Sequence, residues 1–153
     1  MVTQLKTESK SLYNTDYNLW VLETVKQLEN RDLNNLDWEN LIEEVLDLSE
    51  RKKRKMENLL TRLIEHLLKL AYWQSEIERN QGHWAGEIRN FRLQIKRQLK
   101  ASPSLKPYLR EIFEECYQDA RKIVSDRSRL ALNTFPENPI ASLEQILDEN
   151  WLP

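Results

Sequence analysis

A chain of 153 residues has the usual size of one domain and can bury most of a single core without disulfides. Hydrophobic residues make up 40% and charged residues 31%, mean hydropathy is -0.72, and a formal net charge of -2 supplies no global basic field to recruit nucleic acid or an anionic membrane. Cys116 is the only cysteine, which excludes an intramolecular disulfide and a multi-cysteine zinc site; two glycines, Gly82 and Gly86, are too few for a phosphate-cradling loop.

Residues 1–14 read as a flexible polar arm that lacks the apolar core of a signal peptide, and no run reaches the roughly 20 apolar residues of a membrane span. A cytoplasmic protein with no membrane contact is the expectation, with residues 15–153 forming a single helical domain. Thr15 or Asp16 can cap a first helix, along which Leu19, Leu22, Val25 and Leu28 recur to about Asn30, with Tyr17 and Trp20 near its start. Asp37 is a good cap for a second helix, with Glu39 near the positive end of its dipole.

From there Leu41, Val45 and Leu48 begin an apolar stripe that resumes at Met56, Leu59, Leu60, Leu63, Ile64, Leu67, Leu68 and Ala71. Between the halves, residues 49–55 contain no apolar side chain and no Pro or Gly, so the pattern predicts one long helix from Asp37 to about Arg79. Gly82 and Gly86 then mark the turn. A third helix would bury Trp84, Ile88, Phe91, Ile95 and Leu99, and the Ser102 to Pro107 segment would stop it and start a fourth. That helix carries Leu109, Ile112, Phe113, Cys116, Ala120 and Ile123 on its inner face. Ser142 and Gln145 have the spacing of a capping box for a short last helix over Leu143 to Leu147, after which Trp151 and Leu152 fold back. The fold class is all-α: a bundle of four main helices, one of them long and central, plus a short C-terminal helix.

The chemistry-bearing residues fall in three groups. Glu43 and Asp47 lie four apart on one helix face with Glu44 one step round, so the three could share a divalent cation such as magnesium or manganese, the one cofactor the pattern suggests. The plainer reading pairs them with Arg92, Arg121 or the basic run Arg51 to Lys55, with Tyr117 completing a charge cluster that sets helix register. His66 borders the apolar stripe and, with Glu44, could transfer protons near neutral pH; more often such a histidine only bonds a neighbouring helix. Arg51, Lys52 and Lys55 belong to a run of five cations that a helix spreads over all its faces, giving a solvated surface or a contact with another molecule. Lys52 falls where the apolar stripe would otherwise continue. Cys116 on an apolar face reads as a small core residue.

Several separated blocks resemble one bacterial family. Asp16-Tyr17-x-x-Trp20, Asn40-Leu41-Ile42-Glu43-Glu44 with Asp47, His66-Leu67-Leu68-Lys69, Trp84-x-x-x-Ile88-x-x-x-Arg92, Ser102-Pro103-Ser104-Leu105, Tyr117-x-x-Ala120-Arg121, Leu143-x-Gln145-x-Leu147 and a closing Leu152-Pro153 occur in the order found in the domain of unknown function 29 family, common in cyanobacteria. The resemblance spans about Tyr13 to Pro153. It implies a compact helical protein and carries over no catalytic residues.

Two functions follow as expectations. The first is a non-enzymatic helical protein that binds a protein partner or a second copy of itself, of a regulatory or toxin-neutralising type; nucleic acid is a less favoured partner. The alternative is a metal-dependent nuclease or phosphohydrolase with Glu43, Glu44 and Asp47 as ligands and His66 moving the proton.

Overall fold

The computed structural model describes residues 12–153, and among these the regular structure is helical with no strand. Of the arm expected over 1–14, residues 1–11 lie outside the described residues, and 12–15 form a helical turn. Five helices follow: α1 (Tyr17–Glu29), α2 (Trp38–Tyr72), α3 (Ile77–Ala101), α4 (Leu105–Ser128) and α5 (Leu143–Leu147), with 3-10 turns at Leu33–Asn35, Gln74–Glu76 and Leu132–Thr134. The chain divides between Arg51 and Lys52 into two compact units. No helix among the described residues is long and apolar enough to cross a membrane.

The first unit is a helical hairpin with a polar and aromatic seam. Asp16 caps α1 by accepting from the Leu19 amide at 3.0 Å, a bond whose loss typically costs about 1 kcal/mol. Asp37 is almost fully buried and accepts from the Trp20 indole at 3.3 Å and from the Asn40 side-chain amide at 2.6 Å, while its carbonyl takes the Leu41 amide at 3.0 Å. Tyr13, Tyr17 and Trp20 pack edge-on and stacked, with centroids 5.0 to 5.9 Å apart. The seam buries Trp20 and Thr24, not the leucine line that the spacing suggested. The reason is geometric: Leu19, Leu22, Val25 and Leu28 step by three, so the line slips about 60° per step around a 3.6-residue helix and winds off any single contact face.

The second unit is a helical bundle with a continuous core. Met56, Leu60, Leu63, Ile64, Leu67 and Leu68 of α2 pack with Ile88, Phe91 and Ile95 of α3, with Leu109, Cys116, Tyr117, Ala120 and Val124 of α4, and with Phe135, Leu143 and Ile146. The four-three spacing along α2 keeps these side chains on one stripe, so the helix can bury all of them together. Val124 is buried where Ile123 was expected, and Tyr117 belongs to the core. The capping box at Ser142 and Gln145 is present, with both reciprocal bonds made. Trp151 packs half-buried on the core, whereas Leu152 is exposed.

The turn expected at the glycines lies elsewhere. α2 ends at Tyr72 and α3 begins at Ile77, so Gly82 and Gly86 sit inside α3 and not at a turn. Trp73 leaves the helical conformation and stacks on Trp84 at 5.6 Å, and the Gln74 side chain takes up the Ala71 carbonyl at 3.0 Å. The corner is therefore built from an aromatic pair and a side-chain cap. Left-handed backbone occurs instead at Arg31, after α1, and Arg129, after α4, with φ of 55° and 60°. Arginine stands where glycine would be expected, and glycine where a helix former would be.

Candidate functional site

Glu44 sits at the centre of the hairpin's polar contacts. Its two carboxylate oxygens accept from the Tyr13 hydroxyl at 2.7 Å and the Tyr17 hydroxyl at 2.6 Å. Those two bonds, Tyr17's first, hold the Glu44 carboxyl below its ordinary range, and the same contact pushes the Tyr13 phenol up to about 12. A carboxylate with both oxygens occupied by phenols is a structural acceptor, badly placed to take a proton from a substrate. Asp47 pairs with Arg51 at 2.6 Å along the same helix, and Glu43 is exposed. Among the described residues no three His, Cys, Asp or Glu side chains gather as a metal site would require.

His66 is buried in the bundle. Its Nδ1–H donates to the Arg62 carbonyl one turn back at 2.8 Å, and its ring meets Phe91 edge-on at 5.2 Å. Burial is the main cause that lowers its pKa, so the ring stays neutral near pH 7. The proton on Nδ1 is fixed by a carbonyl that can only accept, which makes the imidazole a packing piece of the α2 and α3 contact.

The residues expected to form a charge cluster hold backbone instead. Arg92, almost fully buried, donates from Nε to the Ile146 carbonyl at 2.8 Å. Burial lowers its pKa while Asp148 and Glu149 oppose the shift. Arg121 Nε donates to the Phe135 carbonyl at 2.8 Å, the Tyr117 hydroxyl to the Pro136 carbonyl at 2.7 Å, and the Gln118 amide to the Glu137 carbonyl at 2.7 Å. Three successive carbonyls are thus pinned by one turn of α4, which supplies these acceptors with partners in a segment that has no ladder of its own. Sequence spacing identified Tyr117 and Arg121 as a pair, but nothing in it distinguishes a carbonyl from a carboxylate as their target.

A buried ion group escaped the sequence reading altogether. Glu65, 1% exposed, accepts from Arg127 at 2.5 Å and from Lys69 at 3.2 Å. The signal was available: Glu65 and Lys69 are four apart inside an apolar stretch, a spacing at which opposite charges meet on a helix. Cys116 is buried, with its thiol pushed up to about 11 by burial, so it lacks the thiolate of a nucleophile. A cleft of about 420 Å³ beside Arg92 is walled by Lys96, Lys106, Asp148 and Glu149 over Ile95 and Leu99. Lys96 and Glu149 pair across it at 3.3 Å, and Asp148 is the second carboxylate in its lining.

The largest anomaly is apolar. Among the described residues thirteen large hydrophobic side chains are exposed, and eleven of them, from Tyr17 to Leu48, belong to the first unit. Leu22, Ile42, Val45, Leu46 and Leu48 are each 55 to 61% exposed. Of the cations expected at an interface, Arg51, Lys52 and Lys55 are all exposed.

Fold and site together define an all-helical protein. The family model described as Domain of unknown function DUF29 matches residues 12–152, and the chain belongs to that family. No curated protein and no solved structure matches it.

Proposed function

We propose that the chain is a non-enzymatic binding module whose helical hairpin docks on another protein. The observation that carries this reading is the concentration of exposed apolar side chains on α1 and the first half of α2. Proteins that stay alone in water rarely leave more than a few hundred Å² of contiguous apolar surface uncovered, because covering it is worth about 25 cal/mol per Å². Of the eleven side chains, Trp38, Ile42, Val45, Leu46 and Leu48 share one stripe of α2, and one partner contributes ~800 Å² to a stable interface. Regulation or neutralisation of another protein by direct contact would use such a surface. A reducing, cytoplasmic setting fits the single buried thiol.

The proposal is tested by comparing the tagged chain with a Leu22→Glu, Val45→Glu double variant in extract of the source cells. The parent is expected to retain a protein at fixed stoichiometry that the variant loses, with both showing the same helical circular dichroism. Equal recovery by the two would contradict the reading.

A further inference from the structure

We infer that the occupant of this surface is an amphipathic helix with a basic flank, supplied by another protein; the inference rests on the docking reading above and adds the partner's chemistry. It comes from charge and from the arrangement of side chains around α2.

The two units differ sharply in charge. Residues 12–51 contain ten acidic and three basic side chains, a net charge of -7, whereas residues 52–153 contain 18 basic and 14 acidic, a net charge of +4. The overall -2 of the chain, to which residues 1–11 add +1, conceals this division. At 100° per residue, Trp38, Ile42 and Val45 form the middle of the exposed stripe on α2 and Leu46 and Leu48 its two edges. Beyond Leu46 the exposed side chains are Glu39, Glu43 and Glu50, whereas beyond Leu48 come Glu44, held by Tyr13 and Tyr17, and Arg51, which pairs with Asp47. An apolar stripe about 160° wide is thus bordered by exposed carboxylates on its Leu46 side.

That pattern selects among occupants. A partner helix laid along the stripe must bury its own apolar face there, and one of its flanks comes to rest beside the acidic border. Lysine or arginine on that flank is attracted and acidic residues are repelled, so charge decides the partner while apolar contact supplies the affinity. A second copy docking hairpin to hairpin would bring -7 against -7. An anionic lipid surface would be repelled in the same way. Extended segments fit poorly because anchors spaced for a helix, at i, i+3 and i+4, do not match a strand's alternation.

The experiment titrates the full-length protein with two labelled helical peptides of about 18 residues that share one leucine face, the first with lysine and the second with glutamate on the remaining positions, followed by fluorescence anisotropy. The lysine peptide is expected to bind at least about tenfold tighter at low salt, and the ratio to shrink as salt rises toward ~1 M. Val45→Glu is the decisive variant. It adds a negative charge, so attraction by charge alone would strengthen lysine-peptide binding, whereas docking on the apolar stripe predicts its loss. Glu43→Lys is expected to reduce the preference while leaving binding of the apolar face in place.

Equal binding of both peptides, abolished by Val45→Glu, would overturn the basic-flank inference and leave the docking reading standing. If neither peptide binds and Leu22→Glu with Val45→Glu also leaves recovery from extract unchanged, both are wrong. A dimer in light scattering that Val45→Glu dissociates would make a second copy the occupant, and would overturn the inference.

Discussion

The two units of this chain solve the same folding problem with opposite results. Among the described residues, the second buries 20 of the 22 core hydrophobic residues and exposes two large ones, Leu132 and Leu152, whereas the first buries Trp20 and Leu36 and exposes eleven. Both are helical and both contain apolar residues at helical spacing. What differs is the step: α2 from Met56 to Leu68 advances by alternating fours and threes and stays on one face, while α1 advances by threes and winds away from its neighbour. The hairpin is held together instead by directional contacts, the Asp37 cap and the Tyr13, Tyr17 and Glu44 bonds.

The largest predicted effects set the two units directly against each other. Leu63→Ala or Leu67→Ala, at fully buried positions, should cost about 2–5 kcal/mol in urea unfolding, and Val45→Ala or Leu22→Ala should stay within about 0.5 kcal/mol. Comparable losses at all four positions would erase the contrast. Glu65→Ala removes the anion between Lys69 and Arg127 and leaves a buried ammonium without its carboxylate, for an expected loss of about 3 kcal/mol.

A smaller effect follows from His66. Its folded pKa is lowered from the ordinary 6.5, chiefly by burial, so the unfolded chain takes up a proton at a higher pH than the folded one does. Stability is therefore full above pH 6.5 and falls as pH drops below it. His66→Gln should flatten that dependence between pH 6.5 and 5, measured by thermal unfolding. An unchanged slope would mean that the ring is not buried as described.

The smallest effects are gains. A Cβ added at Gly82 or Gly86 meets nothing within 4 Å, so Gly82→Ala and Gly86→Ala should each stabilise α3 by roughly 0.5–1 kcal/mol. If either destabilises, the helix does not run through that position.

These glycines also mark what the sequence could and could not disclose. The helices, the Asp16 cap, the Ser142 and Gln145 capping box and the α2 core stripe were legible because each depends on neighbours within four residues. The corner at Trp73 was not, since it depends on a stack with Trp84 eleven positions on, and the usual glycine signal lay in the wrong place. Among the candidate site residues, local spacing predicted which side chains share a face: Glu43 with Asp47, Tyr117 with Arg121. It could not identify their targets, because the Phe135, Pro136 and Ile146 carbonyls lie on distant segments. The Glu44 carboxylate is taken up by tyrosines for the same reason.

The difference between a self-sufficient bundle and a hairpin that presents its apolar face outward is tested most directly by hydrogen exchange on the full chain, with and without the lysine-flanked helical peptide. Amides of residues 56–68 should be strongly protected in both states, and those of 38–48 weakly protected alone and slowed at least about tenfold by the peptide. Equal protection of both stretches in the free protein, unchanged when the peptide is added, would contradict the account.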